Sequence, residues 1–241
     1  GLDLHVPKLR KELLKDGSSE ILVTGVGGVG KTTLAKTLCW DKNVKDKFKD
    51  SIFFTFSKTP NLELIAQNLF QHLGFDVPLF SSPDDIFNKM EILLRCIGEP
   101  ILLVLDDVWP GSQYIIEKLK LPLPDYKMLV TLRFAFQRFG NPYPLESLTT
   151  EYATTLFHHF VSQPAGNDNT IEHKDLVEKI VKGYAGFPLV LKLVGRSLSG
   201  QPPVIWQDRV MDLSKGNFFD AELLDKLEQL LDVLGTEDII K

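Results

Sequence analysis

An α/β fold with a three-layer parallel sheet, followed by a small helical subdomain, is what this sequence predicts. Three observations carry the expectation. The first half alternates short apolar runs with segments of helical spacing. A glycine-rich stretch, Gly25–Thr32, falls between the first such run and the first helix. After about Pro144 the strand-like runs stop and helical segments succeed one another. Alternating strands and helices imply a parallel sheet covered by helices on both sides.

Each element has its own signal. Glu20–Thr24 (EILVT) is apolar and β-branched, hence a strand, and Lys31–Trp40 follows with helical spacing. Ile52–Phe56 is apolar and aromatic, a second strand. Leu62–Leu73 repeats apolar residues at helical intervals through Leu62, Ile65, Ala66, Leu69 and Leu73. Pro83–Ile97 begins in SPDD, with proline in the first turn and acids near the positive end of the helix dipole. Ile101–Leu105 is wholly apolar, as suits a strand covered on both faces, and Met128–Thr131 is a fourth strand. Glu151–Val161, Ile171–Tyr184, Pro188–Leu198 and Val204–Leu213 read as helices, separated by joints such as QPAGNDN and GQPP. Ala221–Leu234 is a further helix.

Composition narrows the function classes. The net charge is −5 and the pI about 5.6, with no basic face, so no nucleic-acid partner is expected. The KNVKDKFK stretch, Lys42–Lys49, is interrupted by acids and reads as a solvated helix end. Cys39 and Cys96 are in apolar helical contexts outside any CxxC pair and are expected as buried, reduced thiols. No apolar run reaches the roughly 18 residues that span a bilayer. The N-terminal GLDLHVPKLRKELLK lacks the order of a signal peptide, and Gly1 is expected to lie within a longer protein.

The chemistry is concentrated in three segments. GVGGVGKT, Gly25–Thr32, fits G-x-x-x-x-G-K-[ST] between a strand and a helix, the pattern of a phosphate-binding P-loop. Its glycines let the backbone approach phosphate, and the amides of Gly28–Thr33 face phosphate oxygens at a helix N-terminus. Val26, Gly27, Gly28, Val29, Gly30, Lys31, Thr32 and Thr33 are therefore candidate nucleotide contacts. Lys31 supplies charge for the β- and γ-phosphates, and Thr32 a hydroxyl ligand for Mg²⁺. ILLVLDDVW, Ile101–Trp109, brings two acids to the carboxyl edge of the sheet. Asp106 is the Mg²⁺ ligand, directly or through water. Asp107 either activates a water against the γ-phosphate or caps the next helix. In KMLVTLR, Lys127–Arg133, the strand ends at Thr131; Arg133 either senses the γ-phosphate or is a plain surface arginine.

The order GVGGVGKTTLA, LLVLDDVW, LVTLR and GFPLVLKLVGRSL resembles the NB-ARC domain of plant NLR immune receptors, in the apoptotic-ATPase branch of signal-transduction NTPases. The resemblance covers nearly the whole chain. LCWDKNVKDKFKDSIFFTFSKTP and LDDVWP are most similar to helper NLRs of the N-requirement-gene type. The resemblance implies that Gly186–Leu189 is the GLPL motif, with Pro188 packing on adenine, Leu189 beside it and Phe187 in place of a leucine. It implies that Thr131–Arg133 is the arginine-bearing motif, its middle hydroxyl lost at Leu132, and that Leu2 brushes the adenine. It also implies four regions: 1–18 an N-terminal linker segment, 19–145 the P-loop nucleotide-binding domain, 146–216 the helical first ARC subdomain, and 217–241 the truncated start of the winged-helix second ARC subdomain. The MHD motif of the family would lie beyond Lys241.

The function so implied is an ADP/ATP-binding switch in plant defence and the hypersensitive response, cytoplasmic, with Mg²⁺ as cofactor. Membrane association would come only through domains outside this segment. Its partners would be the nucleotide, the receptor's N-terminal helical, winged-helix and leucine-rich-repeat domains, a second copy on activation, and upstream signalling proteins. Hydrolysis is expected to be slow at most, because no arginine finger is placed by the sequence, although Arg138 and Arg196 are nominees. The alternatives are an ATPase with useful turnover, a small-molecule kinase, which would need an arginine-rich lid absent here, and a scaffold that never exchanges its nucleotide. His158 and His159, within a helix, are not expected as ligands, and no His/Cys constellation suggests zinc.

Overall fold

The computed structural model describes residues 1–17, 19–49, 51–123, 125–134, 140–161 and 171–217, with only the backbone at 171–173. By their contacts the residues group into two compact units. One holds Leu2–Val26 and Lys31–Leu145; the other holds the chain from Glu146 onward together with Gly1 and the loop residues Gly27–Gly30.

The first unit opens with α1, Leu2–Leu13, which the sequence pattern alone does not announce as a helix. Pro7 within it gives up one backbone hydrogen bond. Burial of Leu9 and Leu13 offsets that loss, and Lys47 Nζ donates to the carbonyls of Leu14 and Lys15 just past its end. Then follow β1 (Ser19–Thr24), α2 (Lys31–Trp40), α3 (Lys42–Lys47), β2 (Ser51–Thr55), α4 (Leu62–His72), α5 (Pro83–Ile97), β3 (Ile101–Val108), α6 (Gln113–Leu119), β4 (Tyr126–Leu132) and β5 (Tyr143–Pro144). Side chains start the helices: Asp41 accepts from the amides of Asn43 and Val44, Asn61 from Leu64, and Ser82 from Asp85. Arg10 of α1 also holds Asp41, at 3.0 Å. Cys39 is half-buried, but Cys96 is exposed on α5, so its expected burial is corrected: it falls outside the stripe Ile86, Phe87, Met90, Leu93 and Leu94 that faces the core.

All five strands are parallel, in the order β2-β3-β4-β1-β5. The central β3 and β4 are buried almost throughout, which is why both read as unbroken apolar runs. Leu69, Met90, Leu94, Ile115 and Leu119 from α4, α5 and α6 pack with Leu103, Leu105, Met128 and Val130 of the sheet into one core. A parallel sheet presents every strand's carboxyl end along one edge. The residues that follow β1, close β3 and follow β4 therefore meet there, although they are far apart in the chain. This is the α/β fold of P-loop NTPases.

The second unit carries α7 (Thr150–Phe160), α8 (Ile171–Gly183), α9 (Pro188–Leu198) and α10 (Pro203–Ser214). Their core includes Phe157, Ile180, Leu191, Val194 and Trp206, with the Phe157 and Trp206 rings edge to face at 5.9 Å. His158 and His159 are exposed on α7. Gly186 precedes α9 at φ 69°, and its carbonyl accepts from the Leu148 amide at 3.0 Å. A Cβ there would stand 2.1 Å from the Leu148 carbonyl oxygen. Backbone strain and a backbone clash coincide, so Gly186→Ala is expected to cost about 3 kcal/mol in urea unfolding. An unchanged midpoint would mean that the Leu148 segment yields freely. The helix proposed for Ala221–Leu234 and the residue Arg138 lie outside the described residues.

Candidate functional site

The loop after β1 turns into α2 with Lys31 as the first helical residue. Lys31 is only 7% exposed and folds back on its own loop, its Nζ donating to the Gly25 carbonyl at 2.7 Å and the Val26 carbonyl at 3.0 Å. Burial pulls its pKa below the ordinary lysine value, and the nearby Arg133 pulls the same way, against Asp107 and Asp106. An amine so desolvated is short of negative charge, as a phosphate-binding amine should be before its ligand arrives.

Asp106 is 2% exposed. Thr32 Oγ1 donates to its Oδ2 at 2.9 Å, and Thr131 Oγ1 to its Oδ1 at 2.5 Å. Burial raises its pKa, opposed by the hydrogen bonds from Thr131 and Thr32 and assisted by the Asp107 charge. The pairing of β3 with β4 explains the neighbourhood. Leu105 faces Val130 and Val108 faces Leu132, so Asp106 and Asp107 together oppose the single residue Thr131. This is a bulge, and it cancels the alternation of faces that a regular strand imposes. Asp107 absorbs the extra residue in a left-handed conformation, φ 55°, with its amide donating to Thr131 Oγ1 at 2.8 Å. One hydroxyl thus accepts from one aspartate's backbone and donates to the other's side chain.

Asp107 is gripped by Arg133, whose Nε donates to Oδ1 and Nη2 to Oδ2, each at 2.9 Å. The helix-cap alternative for Asp107 does not hold, since α6 begins at Gln113. Arg133 is likewise not a plain surface side chain, because its guanidinium carbon also lies 4.4 Å from the Trp109 ring centre.

Lys31, Thr32, Asp106, Asp107 and Arg133 are therefore brought together at the sheet edge. Val26, exposed, adds its carbonyl to the Lys31 contacts, and Thr33 is exposed on α2. Leu2 is half-buried at the start of α1. In the second unit, Gly27, Gly28, Val29 and Gly30 cluster with α9: the Leu189 amide donates to the Gly28 carbonyl at 3.3 Å. A Cβ on Gly28, at φ 77°, would be 2.9 Å from Leu189 Cβ, so glycine is required there. Pro188 occupies the first turn of α9, half-buried. Two residues escaped the sequence reading: the Thr131 hydroxyl as bridge and Trp109 as platform. Only the position of each at a strand end hinted at a role.

The donor set suits Mg²⁺. A hard oxygen pair, one hydroxyl and one carboxylate, lies beside the lysine, and such sites complete their shell with phosphate and water. Among the described residues no group of three or more His, Cys, Asp or Glu gathers for another metal, and no helix is long and apolar enough to cross a membrane.

Solved structures share the fold. Cdc6p from Pyrobaculum aerophilum superposes with a TM-score of 0.60 at 16% identity, over 81% of this chain and 60% of that one. The Aeropyrum pernix ORC1 protein, solved in complex with DNA, gives 0.59 at 15% identity, over 87% and 64%. Identities so low speak for the fold alone. Relatives in sequence include two proteins from Arabidopsis thaliana, each named a probable disease resistance protein. One is 41% identical over 218 residues, 90% of this chain and 27% of that protein; the other is 32% identical over 97% of this chain and 28% of that protein. The chain thus spans about a quarter of the length of these relatives. The NB-ARC domain family matches residues 2–165, so this nucleotide-binding chain belongs to the NB-ARC family.

Proposed function

We propose that this chain is the ADP/ATP switch module of a plant immune receptor, in which nucleotide exchange governs opening and self-association. The observation that carries the reading is Arg133, held by Asp107 beside the Lys31, Thr32 and Asp106 cluster. A cation there distinguishes a triphosphate from a diphosphate, and a ligand moves a conformational equilibrium only by its affinity difference between the two states.

In this reading the amides of Gly28–Thr33 and the Lys31 amine bind phosphate, and Thr32 and Asp106 hold Mg²⁺. Pro188 packs on the base with Leu189 beside it, Leu2 brushes it, and Val26 is a further contact of the phosphate loop. Mg²⁺, when bound, neutralises charge on the β- and γ-phosphates. Asp107 has both carboxylate oxygens committed to Arg133, which disfavours it as a ready base and supports slow hydrolysis over useful turnover. Residues 1–18 serve as a linker, 19–145 as the nucleotide-binding domain, 146–216 as the first ARC subdomain and 217–241 as the start of the second. The same receptor's other domains, upstream signalling proteins and a second copy are the partners, and the setting is the plant cytoplasm.

Calorimetry with ADP and with Mg·ATP tests this. Arg133→Ala should weaken Mg·ATP by about tenfold or more while ADP changes by less than about twofold, since a charge-assisted contact is worth about 1.5–3 kcal/mol. Equal losses would remove the sensing role. Turnover of several per second would replace the switch by an ATPase.

A further inference from the structure

Trp109 has no part in the chemistry described so far, yet it lies beneath the side chain that discriminates the nucleotides. The Arg133 guanidinium carbon is 4.4 Å from its ring centre, and Lys58 Nζ is 5.2 Å from the same centre. The ring is half-buried, one residue beyond the end of β3, and so fixed by the strand that also carries Asp106 and Asp107. We infer that Trp109 is a positioning residue for nucleotide discrimination: its indole and the Asp107 carboxylate together hold Arg133 in a pre-aimed orientation before any γ-phosphate arrives.

The geometry gives the reason. Asp107 takes one N–H from Nε and one from Nη2, two of the five that a guanidinium offers. Three are left for phosphoryl oxygens, so Arg133 can keep its hold on Asp107 while it engages a second anion. The in-plane grip fixes one edge of the guanidinium, and the stacked ring restricts tilting about that edge. A long, flexible side chain half open to water would otherwise lose rotamer freedom on engaging the phosphate. With Asp107 and Trp109 in place, that ordering is already complete, and preorganised donors act without reorganising at the moment of contact. Asp107 can hold Arg133 so only because the bulge turns its backbone left-handed.

The inference rests on the reading of Arg133 as the γ-phosphate contact, and the experiment separates the two. ADP and Mg·ATP are titrated calorimetrically into the 241-residue chain and into Trp109→Leu, Trp109→Phe, Lys58→Ala, Arg133→Ala and the Arg133→Ala/Trp109→Leu double variant. Leucine keeps apolar volume without a π face, and phenylalanine keeps the face. Trp109→Leu is expected to weaken Mg·ATP by about fivefold, with ADP within about twofold. Trp109→Phe should recover most of that loss, Lys58→Ala should leave the ATP-to-ADP ratio within about twofold, and the double variant should match Arg133→Ala. If Arg133→Ala itself leaves the ratio unchanged, the underlying sensor reading fails. If it changes the ratio and Trp109→Leu does not, only the positioning role is overturned. Equal weakening of both nucleotides, no rescue by phenylalanine, or the same loss in Lys58→Ala also overturns it. So does a gain in ATP affinity, because the ring would then be restraining Arg133 rather than aiming it. Should Trp109→Leu fail to fold, Trp109→Met, which also keeps apolar volume without a π face, takes its place: a fall in the ATP-to-ADP ratio supports the role, and a ratio within about twofold of the parent chain overturns it.

Discussion

Replacing Lys31 with alanine is expected to lower the affinity for both ADP and ATP by at least about 100-fold, or about 2.7 kcal/mol. The Lys31 amine, at the start of α2, lies among the loop carbonyls, bonded to Gly25 and Val26. It is desolvated there, as its lowered pKa reflects, so its charge is worth more to an incoming phosphate than a surface lysine's would be. One charge-assisted hydrogen bond at about 1.5–3 kcal/mol already accounts for a loss of that size, and a second would enlarge it. The stability of the ligand-free chain should change little, because removing the amine also removes the cost of burying it. Calorimetry and a melting curve on one sample check both halves. Nanomolar binding retained by Lys31→Ala would refute the site.

Asp106→Asn should abolish the enhancement of nucleotide binding by Mg²⁺ without lowering the melting temperature. The two effects separate because they have different causes. Metal binding needs the negative charge, and hard cations take neutral amide oxygen poorly in place of carboxylate. Folding needs only hydrogen-bond partners for the hydroxyls of Thr32 and Thr131. The amide oxygen can accept from Thr131 while the amide nitrogen donates to the Thr32 hydroxyl, which turns to accept, and the burial that raises the Asp106 pKa ceases to penalise a charge that is gone. Binding titrated with and without Mg²⁺, in the parent chain and the variant, reads the first effect; a thermal melt reads the second. An unchanged metal dependence would remove Asp106 from the metal site, and a large fall in melting temperature would mean that the carboxylate is structural.

The outline of the fold was legible because its signals are local. The helices Lys31–Trp40, Pro83–Ile97 and Pro188–Leu198 have the bounds that spacing predicts, since each begins at a motif, a serine cap or a proline and keeps one apolar stripe. Four elements were not legible, among them α3, which reads as a mere helix end although Asp41 caps it as a helix of its own. Helix α1 owes its stability to burial of Leu9 and Leu13 and to the cap from Lys47, a contact across more than 30 positions. Helix α6 is only seven residues long, and β5 only two, too short for any periodicity to register. Cys96 looked buried because its neighbours are apolar, yet the helical turn puts it on the outer face.

By itself the sequence determined which chemistry is available and where it starts. The glycine-lysine-threonine loop between β1 and α2 is a local pattern, and the nature of Lys31, Thr32, Asp106 and Arg133 follows from side-chain identity at strand and helix ends. What only the tertiary structure decided is how these groups engage one another. The grip of Arg133 on Asp107 spans 26 positions, and the Thr131 bridge to Asp106 spans 25. Both depend on the register of β3 against β4 and on the bulge that sets two aspartates opposite one threonine. Register is a property of two strands meeting in three dimensions. A shift of one residue would reverse every side chain's face, so no single segment of sequence could have contained that arrangement.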